Sequence, residues 1–146
     1  MKKIIMLIAL FQSGFAMANW GRVSDDTSVT TNKHGYSAVL YSGENGLSIG
    51  FTAPASGCIA RSDSLIAMNA PIRVDGVPIK ANAQCADKGL AVFLPRELDQ
   101  GTVKAIFHFG SSVKVEFNSY DSQTYSAMGY KAQSDRIFNN WVKSRK

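Results

Sequence analysis

Two histidines are the residues of this chain best suited to general acid–base chemistry, because histidine changes charge near neutral pH. His34 precedes Gly35 in a polar stretch typical of a loop. His108 lies between Phe107 and Phe109, and in a strand its side chain would point to the opposite face from theirs, toward solvent. Neither position marks its histidine as a catalytic base. A small periplasmic hydrolase using His34 or His108 is the second of the two functions that we consider, after the binding function given below.

A serine nucleophile or a bound metal would need partners that the sequence does not offer at a recognisable spacing. Residues 62–64, Ser-Asp-Ser, could join a histidine in a Ser-His-Asp set, but no Gly-x-Ser-x-Gly elbow is present. The pair Asp25-Asp26 lies outside any calcium-loop pattern. Two cysteines and two histidines make a thin case for zinc. We expect no catalytic residue, no cofactor and no metal site.

The first 18 residues have the pattern of a secretory signal peptide. Lys2 and Lys3 give a positive start, residues 4–11 are apolar, and residues 16–18, Ala-Met-Ala, form a small-x-small cleavage site. We expect residues 1–18 to be removed and residues 19–146 to fold as a single globular domain. The mature chain has no apolar run long enough for a transmembrane segment. The predicted location is the periplasm of a Gram-negative bacterium, with full secretion as the other option.

Cys58 and Cys85 are the only cysteines, and export would place them in an oxidising compartment. One intrachain disulfide is the simplest prediction. A redox pair usually has the Cys-x-x-Cys spacing, which is absent here. The bond would connect the loop before one hairpin to the second strand of that hairpin.

The charge of the chain argues against nucleic acid as a partner. The full sequence has 16 Lys and Arg against 11 Asp and Glu, a formal net charge of +5. Lys2 and Lys3 leave with the signal, and three more basic residues lie among the last four positions. The remaining body, residues 19–142, is balanced at 11 against 11. Nucleic-acid binding normally needs a basic face that contacts many phosphates.

Alternating hydrophobicity predicts strands over most of the mature chain. Residues 36–41 and 47–52 alternate on either side of the turn sequence Gly-Glu-Asn-Gly, which indicates a hairpin. Residues 90–94 form a short apolar run suited to a buried strand. Residues 113–117 alternate again, with Val113, Val115 and Phe117 on one face.

The strongest turn signal is Asp75-Gly76, a dipeptide that accepts positive φ at both central positions of a type I′ hairpin turn. We expect strands over 72–74 and 77–85 on its two sides. Pro78 has no N–H to donate to a ladder, so its end of the second strand should lie at a sheet edge.

Residues 103–109 fit either a strand or a helix. The β-branched and aromatic residues favour a strand. Val103, Ile106 and Phe107 would instead share one helix face, with Thr102 as N-cap and Gly110 as the stop. We favour the strand and treat residues 96–101 as a polar turn.

The C-terminus predicts a helix that docks on the sheet. Ser134 could cap it, and one stripe carries two i,i+4 pairs, Ile137 with Trp141 and Phe138 with Val142. The predicted fold is mainly β, a small single-domain β-sandwich or partly open barrel with a C-terminal helix and one disulfide.

Residues 71–117 contain the sequence Arg-Val-Asp-Gly at 73–76, followed by Cys85 and Gly89. In these residues the segment resembles the later half of invasion-associated locus B proteins, an exported β-sandwich family. Leu90 stands where that family has a second cysteine, and the family's Trp-x-x-Cys near the start is missing. The resemblance implies an exported sandwich and no more.

Exposed aromatic residues are the best sequence indication of function. Tyr120, Tyr125 and Tyr130 recur every five residues, a spacing that fits neither strand nor helix, so some should be exposed. With His34 they are the predicted binding surface. The function expected is a non-enzymatic periplasmic module that binds another macromolecule as an inhibitor, an immunity protein or an assembly accessory, and the expected partner is a protein. Its oligomeric state is left open.

Overall fold

A computed structural model describes residues 19–54, 66–67, 72–86, 89–118 and 121–145. The predicted signal peptide, residues 1–18, lies outside the described residues. In chain order the described elements are β1 (Gly21–Ser24), β2 (Thr27–Thr31), β3 (Ser37–Gly43), β4 (Gly46–Pro54), β5 (Ile66–Ala67), β6 (Ile72–Val74), β7 (Val77–Ile79), β8 (Ala81–Ala86), β9 (Leu90–Pro95), α1 (Glu97–Phe109), β10 (Ser112–Asn118), β11 (Asp121–Ser126) and α2 (Tyr130–Ser144).

The strands form two antiparallel sheets, which confirms the prediction of a mainly β chain with a C-terminal helix. One sheet has seven strands in the order β1-β2-β3-β4-β9-β8-β5, and the other has four in the order β11-β10-β6-β7. Both sheets and both helices contribute side chains to one buried cluster. Its members are Trp20, Ala38, Leu40, Ile49, Phe51, Ile72, Val74, Ile79, Ala81, Val103, Phe107, Val113, Val115, Phe117, Tyr125, Ala127, Tyr130 and Ile137.

Both hairpins predicted from turn sequences are present. β3 pairs with β4 from Ser37 opposite Thr52 to Gly43 opposite Gly46. β6 pairs with β7 around a turn in which Asp75 has φ 49° and Gly76 has φ 80°, the two positive values that a type I′ turn requires. Among the described strands β7 pairs only with β6, so Pro78 lies on an edge strand, as expected.

The strand predicted over 77–85 is divided at Lys80, which is a correction. β7 ends at Ile79 in the four-stranded sheet, and β8 begins at Ala81 in the seven-stranded sheet. The Lys80 N–H donates to Asp99 Oδ2 at 2.9 Å, and the Lys80 carbonyl accepts from the Arg96 N–H at 2.8 Å. The side-chain alternation continues through this corner, so periodicity alone could not reveal the change of sheet.

Residues 97–109 form helix α1, so the strand predicted over 103–109 and the turn predicted over 96–101 are wrong. Val103 and Phe107 are fully buried four residues apart, and burying this pair outweighs the strand preference of the segment. The N-cap is Arg96, not Thr102. Gly110 does end the helix, and its N–H donates to the Ile106 carbonyl at 3.0 Å.

Helix α2 begins at Tyr130, four residues before the predicted cap Ser134, which is a second correction. Gly129 precedes it with φ 83°, a conformation that glycine adopts without strain. The Tyr130 ring packs edge-on against Trp20 and is tilted on Phe107, so the first turn is secured by the core. Neither helix in the described part of the chain is long and apolar enough to cross a membrane.

Candidate binding surface

The tyrosines predicted to form a binding surface are mostly in the core. Tyr125 and Tyr130 are each 2% exposed, so neither offers its ring to a partner. Burial raises the pKa of Tyr130 to about 12, and burial also raises the pKa of Tyr125. Tyr120 lies outside the described residues. A spacing of five would place side chains on different faces of one element. Here Tyr125 lies near the end of β11 and Tyr130 begins α2, and both side chains pack in the same core.

His34 is exposed on the tight turn between β2 and β3. Asn32 holds this turn, because its Oδ1 accepts from the backbone N–H groups of His34 at 2.9 Å and Tyr36 at 3.1 Å. The Asn32 amide in turn donates to Gln123 Oε1 at 3.0 Å. These contacts fix the backbone under His34. They give the imidazole no described catalytic partner.

Tyr36 and Asp121 form the strongest side-chain pair next to this turn. The Tyr36 hydroxyl donates to Asp121 Oδ2 at 2.7 Å, and Gln123 Nε2 donates to Asp121 Oδ1 at 3.0 Å. Burial and the hydrogen bond to Asp121 raise the pKa of Tyr36 to about 12, so the phenol stays neutral at physiological pH. The network joins the turn after β2 to the start of β11, and we assign it a structural role.

His108 lies in the last turn of α1, exposed and in edge contact with Phe109 at 4.7 Å between ring centroids. A histidine at a helix C-terminus is a favourable partner for the helix dipole, which accounts for its position without a catalytic role. Within the described ranges no group of three His, Cys, Asp or Glu side chains is placed to hold a metal ion.

The exposed aromatic and basic side chains that the sequence pattern missed lie on α2. The Phe138 ring is 47% exposed and stacks on Trp141, with ring centroids 5.9 Å apart and planes inclined by 28°. The Arg145 guanidinium lies 4.4 Å from the centroid of the same indole ring. Phe138, Trp141 and Arg145 therefore follow each other along one helix stripe, and we call these three residues the α2 patch.

Two hydrogen bonds fix the α2 patch to the turn between β3 and β4. Trp141 Nε1 donates to the Gly43 carbonyl at 2.9 Å, and Arg145 Nη2 donates to the Glu44 carbonyl. The indole N–H of Trp141 thus has an acceptor, while part of the ring remains accessible to a partner. The predicted apolar stripe of this helix is correct for Ile137, which is fully buried, and wrong for Phe138, which is exposed.

Cys85 lies in β8, half-buried and opposite Ala91 of β9. Cys58 lies outside the described residues, so the bond between them stays a prediction.

Comparison with known proteins adds no relative to this description. No protein-family model matches the chain, and neither a similar curated protein nor a similar solved structure was found.

Proposed function

We propose that this protein is an exported, non-enzymatic periplasmic module that binds another protein through the α2 patch. The role would be that of an inhibitor, an immunity protein or an assembly accessory. The observation that carries the proposal is the exposed Phe138, Trp141 and Arg145 stack, fixed to the β3–β4 turn by two hydrogen bonds.

The composition of the α2 patch is that of a binding hot spot. Tryptophan and arginine are enriched among the residues that dominate interface energies, and aromatic rings bury a large area with few rotatable bonds. The hydrogen bond to the Gly43 carbonyl already restricts the Trp141 side chain. Binding a partner should therefore cost less side-chain conformational entropy. An exposed Phe138 ring stacked on a fixed, half-buried indole beside a cation therefore supports a binding role better than any described arrangement around His34 or His108.

The charge around the α2 patch indicates an acidic partner surface. Residues 137–146 include Lys143, Arg145 and Lys146 and no Asp or Glu. Complementary charge speeds encounter and selects among partners more than it adds affinity. We therefore expect the partner to present carboxylates around an apolar or aromatic anchor.

The test is capture of partners from periplasmic extract with the immobilised mature chain at micromolar concentration. A protein retained by the parent should be lost with Phe138→Glu and weakened severalfold or more with Arg145→Glu, because each change removes one contact of the stack and reverses the local charge. Capture should also weaken as ionic strength rises. Leu98→Glu is the matched control, since Leu98 is 96% exposed on α1 and belongs to no described cluster.

Three outcomes would contradict this function. The first is a protein retained equally by the parent and by Phe138→Glu, and the second is that no protein is retained. The third is hydrolysis of ester, peptide or glycoside substrates by the purified chain that His34→Ala or His108→Ala abolishes. That third result would establish the hydrolase alternative.

We further propose that the chain is exported as residues 19–146, is a small β-sandwich, and carries a Cys58–Cys85 disulfide. The signal pattern supports export, and the two sheets sharing one buried cluster support the sandwich. The two cysteines of the sequence and the predicted export to an oxidising compartment support the bond.

Mass spectrometry of the protein from periplasm should show a chain that begins at Asn19 and lacks two hydrogen atoms, and no thiol should react before reduction. A retained N-terminus would overturn the export proposal. Reactive thiols in the oxidised, unfolded protein would overturn the disulfide.

A further inference from the structure

A cleft of about 410 Å³ lies between α1, the end of β9 and the β3–β4 hairpin. This volume is within the range of small-molecule sites. Its walls combine apolar surface from Tyr41, Leu47, Leu94 and Pro95 with charged groups from Glu44, Glu97 and Lys104. No residue of the α2 patch lines this cleft, so it is a separate site.

The wall formed by α1 is locked in place. Gln100 accepts from the Ile49 N–H at 2.8 Å and donates to the Ile49 and Pro95 carbonyls, both at 3.0 Å. All three hydrogen bonds are made to the backbone of β4 and β9. Gln100 therefore fixes α1 to these strands, and the other residues of the cleft must supply the contacts to a ligand.

Gly101 is the least expected residue of this wall. It lies inside α1, where glycine is the poorest residue apart from proline, and it has no positive φ that would require glycine. A Cβ atom built at Gly101 would meet no atom within 4 Å. Neither the backbone conformation nor the packing therefore requires glycine at this position, which lines the cleft.

Lys104 and Glu97 place opposite charges at two points along the same helix face. Lys104 Nζ donates one hydrogen bond, to the Leu47 carbonyl at 2.7 Å, and its other two N–H groups have no described protein acceptor. Partial burial lowers the pKa of Lys104, so an anion beside it would restore lost solvation. Within the described residues neither Lys104 nor Glu97 forms a salt bridge.

The order of these two charges indicates the kind of ligand. Glu97 and Lys104 are two helical turns apart, about 10.5 Å between their backbone positions along the helix axis. A ligand that bonds both side chains must carry an ammonium at one end and a carboxylate at the other. An extended dipeptide carries these two charges at its ends and spans up to about 7 Å.

We propose that this cleft binds a free dipeptide, with the peptide carboxylate on Lys104, the peptide ammonium on Glu97 and its side chains against the apolar walls. Glu44, on the hairpin turn beside Asn45, adds a second carboxylate to the cleft. Asn45 Nδ2 lies 3.5 Å from Glu97 Oε1 and would orient that carboxylate.

The test is titration of the isotope-labelled mature chain with the dipeptide alanyl-leucine, followed by NMR and calorimetry. Saturable shifts are expected at the amides of residues 97–104 and 44–48. The N-acetylated and the C-amidated dipeptide should each bind at least about tenfold more weakly, because each lacks one of the two charges. Lys104→Gln and Glu97→Gln should reproduce these losses separately, whereas Lys114→Gln, on an exposed strand position, should not.

Gly101→Leu tests the cleft without touching a charge. It should abolish binding and leave the melting temperature unchanged or higher, because leucine is the better helix former. Ala105→Leu, on the same helix but outside the cleft lining, is the matched control and should bind normally. Absence of saturable shifts at millimolar dipeptide, equal binding of the capped dipeptides, or unchanged binding by Gly101→Leu would each overturn the proposal.

Discussion

Replacing Phe107 by alanine will lower the free energy of unfolding by about 3 to 5 kcal/mol, the range found for truncating a buried phenylalanine. Phe107 is 0% exposed, and its ring lies 5.6 Å from Trp20, 6.2 Å from Phe51 and 5.7 Å from Tyr130, measured between centroids. These three partners belong to the N-terminal segment, to β4 and to α2. Removing the ring would leave a cavity where the elements meet, and urea unfolding followed by fluorescence and circular dichroism would measure the loss.

Phe109 is the control for this prediction, and it also tests the helix. It is 85% exposed, so Phe109→Ala should change stability by less than about 0.5 kcal/mol. In a strand, residues 107 and 109 would share one face and cost similar amounts. Equal effects of the two substitutions would therefore contradict helix α1 and restore the strand.

Replacing Arg136 by methionine will lower the free energy of unfolding by about 2 to 3 kcal/mol, because hydrogen bonds to a charged group are stronger than neutral ones. The guanidinium donates to the carbonyls of Ser24 at 2.9 Å and Asp25 at 3.0 Å, and to Ser28 Oγ at 2.9 Å. A weaker contact at 3.4 Å reaches the Thr27 carbonyl. Methionine keeps an unbranched apolar stem at this position and removes every donor.

The loss should be concentrated in the β1–β2 hairpin. Amide hydrogen exchange there should accelerate more than in β3 or β4, since Arg136 is one of the side chains that fix this hairpin to α2. Arg136→Lys should recover only part of the stability because it has three donors on one nitrogen rather than a planar fork. Lys131→Met, on an exposed position of the same helix, is the control. A uniform loss across the seven-stranded sheet would contradict the local role.

Turn chemistry was the most informative part of the sequence. Asp75-Gly76 predicted a hairpin correctly because positive φ at two successive residues leaves few alternatives. The segment 97–109 was harder. Its β-branched and aromatic residues favour a strand by propensity, while Val103 and Phe107 fit a helix by spacing, and only the position of the core decides between them.

The candidate sites were less predictable than the fold. The α2 patch depends on how α2 is rotated about its axis, and a one-residue difference separates buried Ile137 from exposed Phe138. The cleft is built from two segments far apart in sequence, residues 41–48 and 94–104, so no motif could reveal it. Gly101 did carry a signal, since an isolated glycine inside a helix costs stability relative to alanine, but that signal required recognising the helix first.

The corner at Lys80 affects how the protein unfolds. A single residue carries the chain from one sheet to the other, and both of its backbone groups are bonded to the first turns of α1. Ile79 and Ala81 on its two sides belong to the same buried cluster. Because Lys80 is the whole connection between β7 and β8, no flexible linker allows one sheet to move without the other at this point. We expect the two sheets to lose their structure together, in one cooperative transition, rather than as independently melting layers.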